Sequence, residues 1–126
     1  MNLIFYSRDT EAIGDQLQRV IESIETQAIN EVELHRTIDS LSRRLRRPTY
    51  DVAVAVLLAA TKEDLLDMLS IRDLIRNLRI ILVLPDTEDA TIAQGHSLRP
   101  RFLTYADSNF AEVAGVLNKM LGNTEG

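Results

Sequence analysis

The sequence lacks cysteine and tryptophan, and it has no long apolar run. Without cysteine the chain has no disulfide bond, no thiolate metal ligand and no cysteine nucleophile. No apolar run approaches the roughly 20 residues that cross a bilayer, and the chain does not open with a basic segment followed by a long apolar stretch. These absences predict a cytoplasmic protein that does not enter a membrane.

Positive charge is also scarce. The 14 lysines and arginines are outnumbered by 19 acidic residues, which gives a formal net charge of −5. Nonspecific nucleic-acid binding rests on a basic surface, so this balance argues against nucleic acid as the partner. Because 45% of the 126 residues are apolar, the chain can bury a substantial core. We predict a single domain over residues 1–122 and a short C-terminal tail, 123–126.

The most apolar stretch follows Asp51 and covers residues 52–58. It has no polar face at either the helical or the strand period, so it is expected to be covered on both sides, as is typical of an interior strand of a parallel sheet. Residues 3–6 and 80–84 have the same character. Residues 26–30 and 101–105 are less apolar and are predicted as edge strands.

Apolar residues at spacings of three and four predict amphipathic helices between these strands. The segments concerned are 13–24, 33–47, 61–75, 88–94 and 109–121. Gly95 is expected to end the fourth of them. Thr61 with Asp64, and Ser70 with Asp73, have capping-box spacing, so residues 61–75 are expected to form either one helix or two short ones.

Five strands that alternate with helices predict an α/β fold with a doubly wound parallel sheet of the flavodoxin-like type, with strand order 2-1-3-4-5. The first, third and fourth strands are then interior, which matches their apolar character. In such a sheet a ligand site lies at the carboxyl ends of the strands, where the order reverses between the first and the third.

The order, spacing and apolar pattern of residues 50–56, 79–85 and 102–106, with Gly95 and the final amphipathic helix, resemble the receiver domain of bacterial response regulators. The resemblance implies acidic residues after the first strand that hold magnesium and a phosphoacceptor aspartate at the end of the third. It also implies a hydroxyl residue after the fourth strand and a lysine-proline pair after the fifth.

This chain departs from that pattern at most of these positions. In their place it has Ser7, Arg8 and Asp9 after the first strand, Val56 and Leu57 at the phosphoacceptor, Pro85 at the hydroxyl and Tyr105 at the lysine. Phosphoryl transfer to an aspartate needs a carboxylate nucleophile, a divalent ion and a cation. The resemblance therefore predicts a degenerate pseudo-receiver that signals without phosphorylation, is not an enzyme and needs no cofactor.

Such a domain is expected to act through its surface, toward a protein partner or a second copy of itself. In the receiver family the face of the fourth helix, fifth strand and fifth helix makes such contacts, and Phe102 stands at the position of the family's switch aromatic. Asn109 and Glu112 lie on the polar side of the final helix. The alternative for Phe102 is ordinary packing in the core.

The competing hypothesis is a small-ligand, nucleotide or flavin-binding domain. Residues 3–13 are similar to the opening of flavodoxins, whose loop wraps the phosphate of flavin mononucleotide. The loop here has no glycine and carries the acids Asp9 and Glu11, which disfavours a phosphate. Asp9 and Asp86 are weak candidates for magnesium ligands, since capping a helix is the commoner role.

The remaining polar features have a structural and a functional interpretation. Four arginines end the second helix, where they either complement its dipole or form a patch for phosphate or acidic groups: Arg43, Arg44, Arg46 and Arg47. Lys62 either lies over the strand-end pocket or belongs to a solvated helix start. His35, expected on a helix, and His96 have no second histidine nearby, which favours surface or capping roles.

Overall fold

The computed structural model describes residues 1–8, 12–24 and 29–122. The strands are β1 (Asn2–Ser7), β2 (Glu31–His35), β3 (Val52–Leu58), β4 (Ile80–Leu84) and β5 (Phe102–Tyr105). The helices are α1 (Ala12–Glu22), α2 (Ile38–Leu45), α3 (Lys62–Ser70), α4 (Arg72–Ile75), α5 (Asp89–His96) and α6 (Ala111–Met120). No helix within these ranges is long and apolar enough to cross a membrane.

The five strands form one parallel sheet in the order β2-β1-β3-β4-β5. This is the predicted doubly wound, flavodoxin-like α/β fold. Strand β3 lies at the centre and is buried from its second residue to its last, because it carries no polar side chain that would need water. The interior positions predicted for β1, β3 and β4 are confirmed.

Successive strand side chains point to opposite faces, so β1, β3 and β4 supply two cores. One core packs against α1 and α6 and contains Leu3, Phe5, Val54, Val56, Leu17 and Leu117. The other packs against the remaining helices and contains Ile4, Tyr6, Leu57, Leu82, Leu41 and Met68. The apolar stripe predicted for α1 is confirmed, with Leu17 and Ile21 buried.

The prediction for the second strand was wrong. Residues 25–28 lie outside the described part of the chain, and the strand β2 occupies residues 31–35, where a helix was expected to begin. Val32 and Leu34 alternate with charged residues over this short span, which is the pattern of a half-exposed strand. The helix starts only after Thr37, whose hydroxyl accepts a hydrogen bond from the Ser40 amide.

Two helix boundaries also differ from the predictions. Gly95 lies inside α5 and does not end it; a Cβ there would come within 3.0 Å of the Leu84 side chain, so glycine permits close packing on β4. Helix α6 begins after Phe110, which has a left-handed backbone conformation with φ of 61°, and not at Asn109. The Asn109 side chain instead accepts a hydrogen bond from the Ala111 amide.

The connection between β3 and β4 contains two short helices, which is one of the two alternatives that the sequence left open. Thr61 caps α3 by accepting a hydrogen bond from the Asp64 amide. The second capping signal, at Ser70 and Asp73, was wrong in detail, because Ile71 precedes α4 and provides no side-chain cap. Ile75, the last residue of α4, lies in the core.

Candidate functional site

The carboxyl end of β1 carries a cation that is tied to α3. Ser7 is the last residue of β1, is buried and lies beside Leu58 of β3. Arg8 follows it, and its Nη1 lies 3.3 Å from Oδ1 of Asp64 and 3.7 Å from Oδ2 of Asp67. The guanidinium group therefore connects the tip of β1 to two carboxylates of α3. The predicted metal candidate Asp9 lies outside the described residues.

Asp64 also makes hydrogen bonds at the start of α3. Its Oδ2 accepts a hydrogen bond from the Ala60 amide at 3.2 Å, while its own amide donates to the Thr61 hydroxyl at 3.1 Å. This reciprocal arrangement satisfies backbone groups at the start of α3. Asp64 is buried, so its charge is held by the helix start on one side and by Arg8 on the other.

Tyr6 lies fully buried beneath this cluster. Burial raises its pKa to about 12, and the negative charges of Asp64 and Asp67 add to the rise against the opposing effect of Arg8. Within the described residues its Oη has no hydrogen-bond partner. The hydroxyl is therefore neutral at physiological pH. Sequence reasoning treated Tyr6 as an apolar strand residue, because its neighbours on α3 are distant in the chain.

We expect Tyr6→Phe to leave the protein at least as stable as the parent. A buried hydroxyl without a partner destabilises the folded state by about 1–3 kcal/mol, and phenylalanine removes it while it keeps the ring. Urea denaturation of both proteins measures the difference. A loss of more than about 1 kcal/mol in the variant would show that the hydroxyl makes a stabilising hydrogen bond.

The position predicted for a phosphoacceptor lies inside β3. Val56 and Leu57 are fully buried beside Phe5 and Tyr6 of β1. The strand continues to Leu58, which is buried as well. The end of the central strand thus presents aliphatic side chains to both faces of the sheet and offers no nucleophilic atom.

The loop after β4 forms a second part of this edge. Asp86 follows Pro85 and accepts a hydrogen bond from the Glu88 amide at 3.0 Å, which together with Thr91 holds the pKa of its carboxyl below the ordinary value. Nζ of Lys62 lies 2.6 Å from Oε1 of Glu88. Both partners are exposed, so Lys62 belongs to a solvated ion pair between the starts of α3 and α5.

A pocket of about 460 Å³ opens beside these groups, lined by Arg8, Ile13, Ala60, Thr61, Glu63 and Asp64. Of the described residues that line it, Arg8 is the one cation, and it is already paired with a carboxylate. Across the described part of the chain, no group of three histidine or acidic side chains is arranged to hold a metal ion. Among the described residues, the pocket thus combines a paired cation with carboxylates and has no prepared nucleophile.

The predicted interaction surface lies at the β5 edge of the sheet. Phe102 opens β5 and is partly buried against the core of α1 and α6. Asn109 and Glu112 are exposed, as predicted. Tyr105, at the position of the receiver lysine, ends β5 and is partly buried against the other core. The Phe102 ring therefore contributes to the core and also reaches the surface.

The arginine cluster of α2 divides into two groups. Arg44 is buried, and its guanidinium lies 2.7 Å from Glu33 and 2.9 Å from Asp51. Arg43 makes an exposed pair with Asp39 at 2.7 Å. The other two members are exposed on the surface: Arg46 and Arg47. Neither of the two interpretations of the sequence included a buried arginine paired with the second strand.

Glu33 is the centre of the network around Arg44. Burial disfavours its charged form, but hydrogen bonds from Arg44 and from Asn2, the latter at 2.9 Å, outweigh burial and lower its pKa. His35, placed by the structure on β2 and not on a helix, contacts the Ser40 hydroxyl at 2.7 Å. Sequence reasoning missed this network because it assigned Glu33 to a helix.

No protein-family model, no curated protein and no solved structure matches this chain.

Proposed function

We propose that this protein is a phosphorylation-independent interaction module, a receiver-like domain that acts by contact with other proteins. The observation that carries the proposal is the aliphatic end of β3, where Val56, Leu57 and Leu58 are all buried. An aspartyl phosphate needs a carboxylate nucleophile at that strand end, and none of these side chains has an atom able to attack phosphorus.

The charges around the tip of β1 support the same proposal. Magnesium is bound through carboxylate oxygens and phosphates. Here the guanidinium of Arg8 lies against Asp64 and Asp67 and takes up the negative charge that a cation would use. A divalent ion bound by Asp64 and Asp67 would have to displace Arg8 from its pairs, so these two carboxylates favour a stable surface over metal-assisted chemistry.

The first test is phosphorylation. Incubation with magnesium and acetyl phosphate should give no phosphoprotein by intact mass, and beryllofluoride should leave the amide spectrum unchanged, because the nucleophile is missing. A receiver domain with its aspartate, treated in parallel, controls for the reagents. A stoichiometric, base-labile phosphate on this chain would overturn the proposal.

The small-ligand alternative would use the same edge. A nucleotide or flavin phosphate entering the 460 Å³ pocket meets the carboxylates of Glu63 and Asp64 beside Arg8. Because Arg8 is already paired with Asp64, the local charge does not favour an anion. We therefore prefer protein contact to ligand binding.

The proposed contact face for a protein partner surrounds Phe102. An aromatic side chain at a sheet edge buries a large area at low entropy cost and is typical of interface hot spots. Phe102→Ala should strongly reduce the recovery of captured partners from an extract of the source cells. The loss should be seen at a temperature at which the variant is still folded. Quantitative capture beside thermal melts measures both effects.

Leu66→Ala is the matched control, since Leu66 is an exposed apolar residue on α3, away from β5. It should leave the recovery of partners unchanged. Equal recovery with the parent and Phe102→Ala, together with a lower melting temperature of Phe102→Ala, would mean that Phe102 serves only the core and that this face is misplaced.

A further inference from the structure

The β2 edge of the sheet exposes large apolar side chains. Strand β2 pairs with β1 on one side and is the last strand on the other. Val32 and Leu34 are 39% and 40% exposed. At the opposite edge, Thr104 of β5 is buried and its neighbours are partly buried. An open edge with exposed apolar residues is a template for pairing with another strand.

The strand is short and carries two glutamates, which weaken such pairing, but other features that commonly prevent it are missing. Strand β2 has the sequence Glu-Val-Glu-Leu-His, without proline or lysine, and its register with β1 is regular over all five pairs. Val32 and Leu34 are level with Leu3 and Phe5, so they lie on the face of α1 and α6. The charged residues of β2 lie on the face of α2.

The pattern of this strand is complementary to itself. If two copies of β2 pair antiparallel about a two-fold axis at Glu33, Val32 of each copy lies opposite Leu34 of the other. Glu31 of each copy then lies opposite His35 of the other. We propose that β2 pairs antiparallel with β2 of a second copy in this register and joins two sheets into one of ten strands.

Glu33 lies on the two-fold axis and faces Glu33 of the second copy, but its negative charge is already compensated within each copy. Oε1 of Glu33 lies 2.7 Å from Nε of Arg44, and Oε2 accepts a hydrogen bond from Asn2. Each copy therefore brings its own cation to the axis, which offsets the repulsion expected between two like charges directly opposite each other.

Other registers are less favourable. A shift by one residue places the apolar side chains of the two copies on opposite faces. A shift by two in one direction sets Glu31 against Glu33, and a shift by two in the other sets Val32 against Arg36. Only the register centred on Glu33 aligns all five residues and both apolar pairs. This self-complementarity favours a second copy over an unrelated extended peptide.

Stable interfaces bury roughly 1,200–2,000 Å². A contact made by five residues of each copy buries less area than that, so we expect a reversible dimer. Sedimentation of the parent at about 0.1 mM, where a micromolar contact is saturated, should approach twice the chain mass. The chain mass is 14.2 kDa. A parent that stays monomeric at this concentration would overturn the proposal.

Leu34→Lys should weaken the dimer by at least about tenfold in Kd, because it places a charge opposite Val32 of the second copy. The matched control is Leu66→Lys, which makes the same change at an exposed position on α3 and should leave the dimer intact. Thermal melts of both variants confirm that they fold. Equal dimerisation of folded Leu34→Lys and parent would overturn the proposal.

Engineered cysteines test the register, since the chain has no cysteine of its own. In the proposed pairing, Val32 faces Leu34 of the second copy, while identical positions lie diagonally, about 7–8 Å apart. A mixture of Val32→Cys and Leu34→Cys should therefore form disulfide-linked dimers faster than either variant alone. Faster linkage of either single variant would overturn this register.

The test of the β2 pairing and the test of the proposed function can fail independently of each other. Phosphate uptake by the parent would overturn the phosphorylation-independent function and leave the β2 pairing intact. Loss of the dimer in Phe102→Ala with its retention in Leu34→Lys would assign self-association to the β5 edge and overturn this inference.

Discussion

Val54→Asp is expected to abolish cooperative folding or to lower the free energy of unfolding by several kcal/mol. Val54 is fully buried in the central strand, lies beside Leu3 of β1 and belongs to the core under α1 and α6. An aspartate there would be a buried carboxylate without a partner, or a protonated acid without a hydrogen bond. Either form costs a large part of the about 5–15 kcal/mol that stabilises a typical domain.

Urea denaturation followed by circular dichroism measures the effect. Leu66→Asp introduces the same side chain at a position that is 53% exposed on α3, and it should change stability by no more than about 1 kcal/mol. A Val54→Asp variant with the midpoint of the parent would show that β3 is not covered on both faces.

Arg44→Ala is expected to have the second largest effect. The guanidinium is buried and bridges Glu33 on β2 and Asp51 before β3, and it also donates to the Pro48 carbonyl. Removal of one partner of a buried ion pair costs about 3–5 kcal/mol. We expect about 2–3 kcal/mol here, because the Glu33 side chain keeps 16% exposure and that of Asp51 46%.

Arg43→Ala provides the control within the same helix. Arg43 pairs with Asp39 on the exposed side of α2, so its removal should cost no more than about 0.5 kcal/mol. Denaturation midpoints of the two variants at neutral pH compare a buried arginine with an exposed one. Equal losses of stability in the two variants would mean that the buried contact between Arg44 and Glu33 does not stabilise the fold.

The pH dependence of Arg44→Ala follows from the sign of the Glu33 shift. The folded protein holds the pKa of Glu33 below the ordinary value of 4.5, so the stabilisation is fully present above that value and is lost as the pH falls through the lowered pKa. The difference between parent and Arg44→Ala should therefore shrink when melts at neutral pH are repeated at about pH 3. A constant difference would contradict a role for the Glu33 charge.

The sequence determined the interior strands of the sheet and their order. Runs such as residues 80–84 are apolar at every position, and such a run is covered on both faces only as an interior strand of a parallel sheet. The strand order and the two layers of helices then followed from general rules of chain connection. The stripe of α1 at Leu17 and Ile21 was equally clear. Each of these signals is local and repeats over enough residues to exclude the alternative period.

The tertiary structure decided the position of β2 and the ionic networks. Leu34 and Ile38 have helical spacing although β2 ends between them. The alternating pattern of β2 covers only five residues, which is too short to overrule this helical signal. Arg44 is 11 residues from Glu33, and Arg8 is 56 residues from Asp64. Which arginine is buried and which acid it meets depends on how strands and helices pack, because side chains far apart in sequence become neighbours only when the sheet has formed.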